Sequence, residues 1–223
     1  MRYLIDTDIL IKIAHCNLLG QIAPALNTKE KDLFYTVEII TKISPLKEQG
    51  VINPLYKEYG ASLLRLEPFL KKCSRLDNKS NKESLGLISR LKKLDQSTKN
   101  KNNGEIWLSV ICLTEKNEES LIITGDKEYI QLLVNANDSY SDIKDGLQNR
   151  FITFELLILK MLQLHKDKHM DFVKQLKDND YGKDKNLKII FRELGNRCAY
   201  YDAVFDALKG QLKGFERFLI PLV

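Results

Sequence analysis

The strongest constraint on this chain is that two apolar runs each stop at an aspartate. Met1-Arg2-Tyr3-Leu4-Ile5 leads into Asp6, and Leu121-Ile122-Ile123-Thr124-Gly125 leads into Asp126. Apolar runs this short read as strands of a parallel sheet that is covered on both faces. In open α/β sheets ligands bind at the carboxyl edge of the strands, which is where both aspartates are expected to stand. Glu38 and Glu105 are two further acids at the starts of predicted helices. Carboxylates held together repel one another unless a cation neutralises them, and an all-oxygen donor set suits Mg²⁺ or Mn²⁺. The chemistry suggested is phosphodiester cleavage by metal-activated water.

Between these runs the pattern alternates between strand and helix. Ile9 to Leu19 reads as a helix that Thr7 or Asp8 can cap. Asp32-Leu33-Phe34-Tyr35-Thr36 reads as a short strand, after which Thr36 caps a helix carrying Glu38 in its first turn. Pro45, Pro54 and Pro68 divide the next region into short helices, with Leu63, Leu64, Leu66, Phe69 and Leu70 as an apolar face. Asn100 to Gly104 is a predicted loop, followed by a largely apolar segment that Glu105 enters and Leu113 closes. Asp126 opens another helix, with Tyr129, Ile130, Leu132 and Leu133 toward the core, and Arg150 to Phe154 reads as a closing strand. No internal repeat or low-complexity segment interrupts this order.

Charge is unevenly spread. From Lys71 to Asn103 there are ten basic residues against three acidic ones, a net +7 in a chain of net +5, so the remainder carries −2. Lys92, Lys93, Lys99 and Lys101 lie directly upstream of Glu105 and are the candidate nucleic-acid-binding residues, since such a segment can neutralise phosphates. The bland alternative is a solvated helical face. Cys16, Cys73, Cys112 and Cys198 form no CxxC pair and read as buried or incidental thiols in a reducing compartment. A cytoplasmic location without membrane insertion is expected, because no run is long and apolar enough to cross a bilayer and the N-terminus lacks signal-peptide character.

Taken in order, Leu4-Ile5-Asp6-Thr7-Asp8-Ile9-Leu10, an acid opening the helix after the second strand, Gly104-Glu105, and Ile122-Ile123-Thr124-Gly125-Asp126-Lys127-Glu128-Tyr129 resemble the motifs of PIN domains, the PilT N-terminus-like nucleases. The resemblance covers roughly residues 1–160 and implies a three-layer α/β/α fold with a central parallel sheet. Residues 161–223 would then form a C-terminal helical extension. Asp6, Glu38, Glu105 and Asp126 match the family's metal-binding, catalytic acids, with Thr124 and Asp8 as supporting residues. Glu105 stands where many members have Asp, and Asp8 where many have Asn or Ser. The resemblance implies an Mg²⁺- or Mn²⁺-dependent endoribonuclease acting on single-stranded RNA, in a toxin-like or defence-related role. It also implies an inhibitory or assembly protein partner and leaves homo-oligomerisation open.

Each acid also has a plainer reading. Asp6 and Asp126 could serve as helix caps, and Glu38 and Glu105 could simply favour the positive ends of their helices. Their conjunction is what favours a site. Two rival functions remain. Asp6-Thr7-Asp8 with Gly125-Asp126 faintly resembles haloacid-dehalogenase-type phosphatases, but Ile9-Leu10 replace that family's Gly-Thr, and the acid expected four residues after Asp126 is Ile130. The other rival is a non-catalytic PIN-like scaffold. His165 and His169 are spaced to share a metal on a helix, yet no third ligand is evident and the intervening charges suggest a solvated face. The tail carries Tyr201, Val204, Phe205, Leu208, Leu212, Phe215 and Leu219 at helical spacing, which favours packing onto the domain.

Overall fold

The computed structural model describes residues 1–36, 39–40, 58–76, 82–95, 103–115 and 119–221 of the 223. Glu38, Lys99 and Lys101 lie outside the described residues, as do the punctuating Pro45 and Pro54.

The elements follow the predicted alternation, with one addition, a two-residue strand at Ser74–Arg75. Strand β1 (Arg2–Ile5) leads into helix α1 (Thr7–His15) and the single turn α2 (Ile22–Ala25). Strand β2 (Leu33–Tyr35) is followed by α3 (Leu66–Leu70) and β3 (Ser74–Arg75). Helices α4 (Lys82–Leu94) and α5 (Asn103–Thr114) precede β4 (Ser120–Thr124). Then come α6 (Lys127–Asn135), α7 (Ser141–Gly146) and β5 (Phe151–Thr153). The remainder is α8 (Phe154–Leu164), α9 (His169–Asp178), α10 (Lys185–Leu194) and α11 (Tyr201–Gly210).

The chain is α/β with a five-stranded parallel sheet in the order β3-β2-β1-β4-β5. Every residue of β4 is buried, as are the last three of β1, which is why these runs are apolar without alternation. Ile5 pairs with Ile123, so the two central strands end in register and deliver the next residues to the same edge. The C-terminal segment closes the other border of β5. Asn149 N donates to Arg217 O, Phe151 N to Phe218 O and Ile220 N to Phe151 O, at 2.9–3.0 Å, which covers an edge that would otherwise be open. Phe218 and Leu219 therefore join the core of the sheet, and α8 runs across residue 160 without a break.

Several local differences from the sequence reading have clear causes. Helix α1 starts two residues earlier than expected because Asp6 itself is the cap, its side chain accepting from Asp8 N. The helix ends at His15 rather than Leu19 because Asn17 adopts a left-handed conformation, φ 58°. Gly104, expected in a loop, lies in the first turn of α5. Leu64 is 61% exposed, whereas Leu63, Leu66, Phe69 and Leu70 are buried as predicted. The tail packs inward, with Val204, Leu208, Leu212 and Leu219 buried and α11 against α8. All four cysteines are free thiols, and burial pushes Cys16 up to about 12. No helix among the described residues is long and apolar enough to cross a membrane.

Candidate functional site

From β1 the chain proceeds to β2 and β3 on one side, while β4 is followed by β5 on the other. The crevice between the carboxyl ends of β1 and β4 is thus a topological switch point, the place where sheets of this kind bind ligands. Asp6 follows β1 and Asp126 follows β4 after one intervening glycine. Asp6 N donates to Ile123 O at 2.9 Å, which carries the strand pairing up to the aspartate itself.

Both aspartates do double duty. Asp6 Oδ2 accepts from Asp8 N at 3.3 Å at the start of α1, and Asp126 Oδ1 accepts from Tyr129 N at 3.1 Å at the start of α6. The capping role is real, and it aims each carboxylate by fixing it to a helix end. Glu105, in the first turn of α5, is only 6% exposed. Thr124 lies between Glu105 and Asp126. Its Oγ1 donates to Glu105 Oε1 at 3.0 Å and accepts from Asp126 N at 3.1 Å, so a fully buried hydroxyl at the end of β4 links two of the acids.

The electrostatics follow from this crowding. Burial first, then the neighbouring charges of Asp6 and Asp126, push the Glu105 carboxyl from 4.5 up to about 7, against the opposing hydrogen bonds from backbone and Thr124. The three acids therefore feel one another. They line a cleft of about 690 Å³ together with Asp8, Lys12 and Trp107, the chain's single tryptophan. Thr7 and Thr36 line it too, their hydroxyls 3.4 Å apart.

The donors at this edge are carboxylate and hydroxyl oxygens, the set that suits a hard divalent cation. Asp6 Oδ1 lies 3.1 Å from where a Cβ on residue 104 would be, so Gly104 leaves beside the carboxylate a space that any other residue would encroach on. Among the described residues, no three His, Cys, Asp or Glu side chains are gathered tightly enough to hold an ion as they stand. The donor chemistry fits Mg²⁺ or Mn²⁺, and Asp6, Glu105 and Asp126 are the residues that would close on it. The expected fourth acid, Glu38, lies outside the described residues.

Other predicted residues fall elsewhere. Lys92 and Lys93 are exposed on α4, which packs against the Glu105-bearing α5, but neither lines the cleft. Arg90 of the same helix is committed to Asp142 through two 2.7 Å contacts. Asp8 is exposed at the rim of the cleft. His165 bonds Gln21 and stacks on Phe172, while His169 bonds the carbonyl of Ala199, so the pair does not converge.

The sequence reading missed the lysines of the cleft and the acids that hold them. Lys12 Nζ is 2.7 Å from Asp184 Oδ2, and Lys127 Nζ is 2.8 Å from Glu155 Oε1. Asn186 lines the cleft and reaches the same Glu155 oxygen at 3.4 Å. Lys127 could have been noticed beside Asp126. Nothing in the local pattern connects Lys12 to Asp184, which is 172 residues away.

Comparison of the chain with protein-family models, with curated proteins and with solved structures gave no match in any of the three.

Proposed function

We propose that this chain is a PIN-like, divalent-metal-dependent nuclease that hydrolyses phosphodiester bonds of single-stranded RNA. The observation that carries the reading is the convergence of Asp6 and Asp126 at the switch point on Glu105, whose carboxyl burial first, and then their two charges, raise to about 7. Burial and neighbouring charge that make ionisation of Glu105 costly destabilise the ionised fold, and groups perturbed in this way concentrate at functional sites. A scaffold that only presents a surface has no use for that cost. A bound cation would supply charge neutralisation and an activated water at this edge.

The residues of the chain have definite tasks in this reading. Asp6 and Asp126 hold their carboxylates at helix starts on the lining of the cleft. Glu105, protonated to a substantial degree near neutral pH in the metal-free protein, gives up its proton when positive charge enters. Thr124 ties the Glu105 carboxylate to the backbone of Asp126, which limits how far the two must move to close on an ion. The preference for RNA rests on the resemblance of the motifs to PIN nucleases. The phosphatase reading is weakened by Ile130, which is fully buried in the core where that chemistry calls for another acid.

The deciding experiment is incubation of homogeneous protein with end-labelled single-stranded RNA in Mg²⁺, in Mn²⁺ and in EDTA. Internal cleavage that EDTA stops is the expected result. Intact RNA under all three conditions, with the protein folded, would overturn the assignment.

A further inference from the structure

Beside the acids the cleft is lined by Lys12, Lys127 and Asn186, and carboxylates from the C-terminal half of the chain hold the two ammonium groups in place. Residues Asp180, Tyr181, Gly182 and Lys183 all have positive φ, between 50° and 65°. A left-handed turn costs roughly 1–2 kcal/mol for each non-glycine residue, so it persists only where its surroundings hold it. Here they do. Tyr181 stacks on Phe191 at 5.1 Å, and Lys183 bonds the carbonyl of Glu58 with its ammonium over the Tyr59 ring. A Cβ on Gly182 would lie 2.8 Å from the backbone oxygen of Lys12 and 2.9 Å from Cys16 Sγ, so this turn presses directly on α1 at Lys12.

The next residue, Asp184, does two things at once. Its Oδ1 accepts from Leu187 N at 3.0 Å and caps α10, while its Oδ2 holds Lys12 Nζ at 2.7 Å. Lys12 is thereby gripped at both its backbone and its ammonium. That ammonium lies 3.3 Å from where a Cβ on Gly125 would be, beside the residue that precedes Asp126. In the same cleft Lys127 is held by Glu155, whose side chain is 3% exposed, with Asn186 on the same carboxylate oxygen. An ammonium has three donors, and one carboxylate contact leaves others for an incoming anion. Both lysines line the acidic cleft, and their side chains are only 23% and 18% exposed, so a phosphate there would meet them away from bulk water.

We propose that Lys12 and Lys127 bind backbone phosphates of the single strand in this cleft, and that Asp184 and Glu155 are positioning residues that aim the two cations. This rests on the nuclease reading above, and it makes the C-terminal extension part of the substrate site. The simpler alternative is that both contacts are structural ion pairs. The two readings part when each pair is neutralised whole: Lys12→Gln with Asp184→Asn, and Lys127→Gln with Glu155→Gln. Neither double variant changes the net charge or strands a buried ion, and asparagine still caps α10.

The measurement is binding of a fluorescent single-stranded RNA in Ca²⁺ over a range of KCl, with strand integrity checked on a gel and quenching of Trp107 as a second signal from the cleft. Each neutralised pair should lower the slope of log K against log salt by about 0.7 and weaken binding about fivefold at 0.1 M salt, and both pairs together about 25-fold. Lys12→Arg and Lys127→Arg should keep the wild-type slope. Unchanged affinity and slope in both neutralised variants would overturn the proposal, because an internally balanced pair that touches no phosphate contributes nothing to counterion release. A wild type that binds and cleaves RNA while the variants match it refutes only this inference. A wild type that neither binds nor cleaves refutes the nuclease reading with it.

Discussion

The floor and the C-terminal wall of the cleft hold equally buried carboxylates in opposite circumstances. Glu105 on the floor is 6% exposed and has Asp6 and Asp126 for charged neighbours. Glu155 and Asp184 on the wall are 2% and 8% exposed, and each has an ammonium within 2.8 Å. Burial is shared, so burial does not separate them. What differs is whether desolvation is offset by an opposite charge or compounded by like charges. Each wall carboxylate is matched by a lysine, although Glu155 Oε2 is buried without a hydrogen-bond partner among the described residues. At Glu105 the neighbouring charges add to desolvation and favour the protonated carboxyl.

The most forceful way to break this contrast is to remove a charge from the floor. Asp126→Asn and Asp6→Asn should each lower RNA cleavage by two to three orders of magnitude, roughly the effect of losing one preorganised electrostatic group. Asparagine caps helices as well as aspartate, so the melting temperature of the metal-free variants should hold or rise. Wild-type rates in both variants, after nuclease contamination is eliminated, would mean that the chemistry lies elsewhere.

Titration of Glu105 comes next. A folded-state value of about 7 against 4.5 means that the fold favours the protonated acid. Its contribution is complete below pH 4.5 and is lost as pH rises through 7, amounting to about 3 kcal/mol. Urea denaturation of metal-free protein from pH 4.5 to 8 should show that loss in wild type relative to Glu105→Gln. Parallel pH profiles for the two proteins would show that the floor is not strained.

Cations should relieve the same strain. Mn²⁺ or Mg²⁺ at about 100 times its dissociation constant should stabilise the wild type by about 2.7 kcal/mol, read as a rise in melting temperature. The rise should shrink in Asp6→Asn and persist in the variant carrying Lys12→Gln with Asp184→Asn. A rise of the same size in Asp6→Asn would place the metal away from the floor.

The smallest effect is expected outside the cleft. Lys92→Gln with Lys93→Gln should raise KM several-fold, leave kcat nearly unchanged, and lower the salt slope by up to about 1.4. A wild-type salt slope would identify this face of α4 as ordinary solvated surface.

The sequence by itself determined the central strands and their acidic edge, because both are written locally, whereas the short edge strand β3 carries no such signal. The Tyr3-Leu4-Ile5 and Leu121-Ile122-Ile123 runs can be buried only as central strands, and an aspartate just past each must emerge at the carboxyl edge. Even the ambiguity was legible: Asp6 and Asp126 could be read as caps or as site residues, and they are caps that also line the cleft. Tertiary structure alone decided the remainder. The level of Glu105 depends on two charges from strands elsewhere in the chain and on how little water reaches it. The wall depends on Lys12 meeting Asp184, where a left-handed turn in the extension closes onto α1, and on Lys127 meeting Asn186 through Glu155. Periodicity reports which face of an element is buried, but it carries no record of which distant element buries it, and the electrostatics of this cleft are set by that second choice.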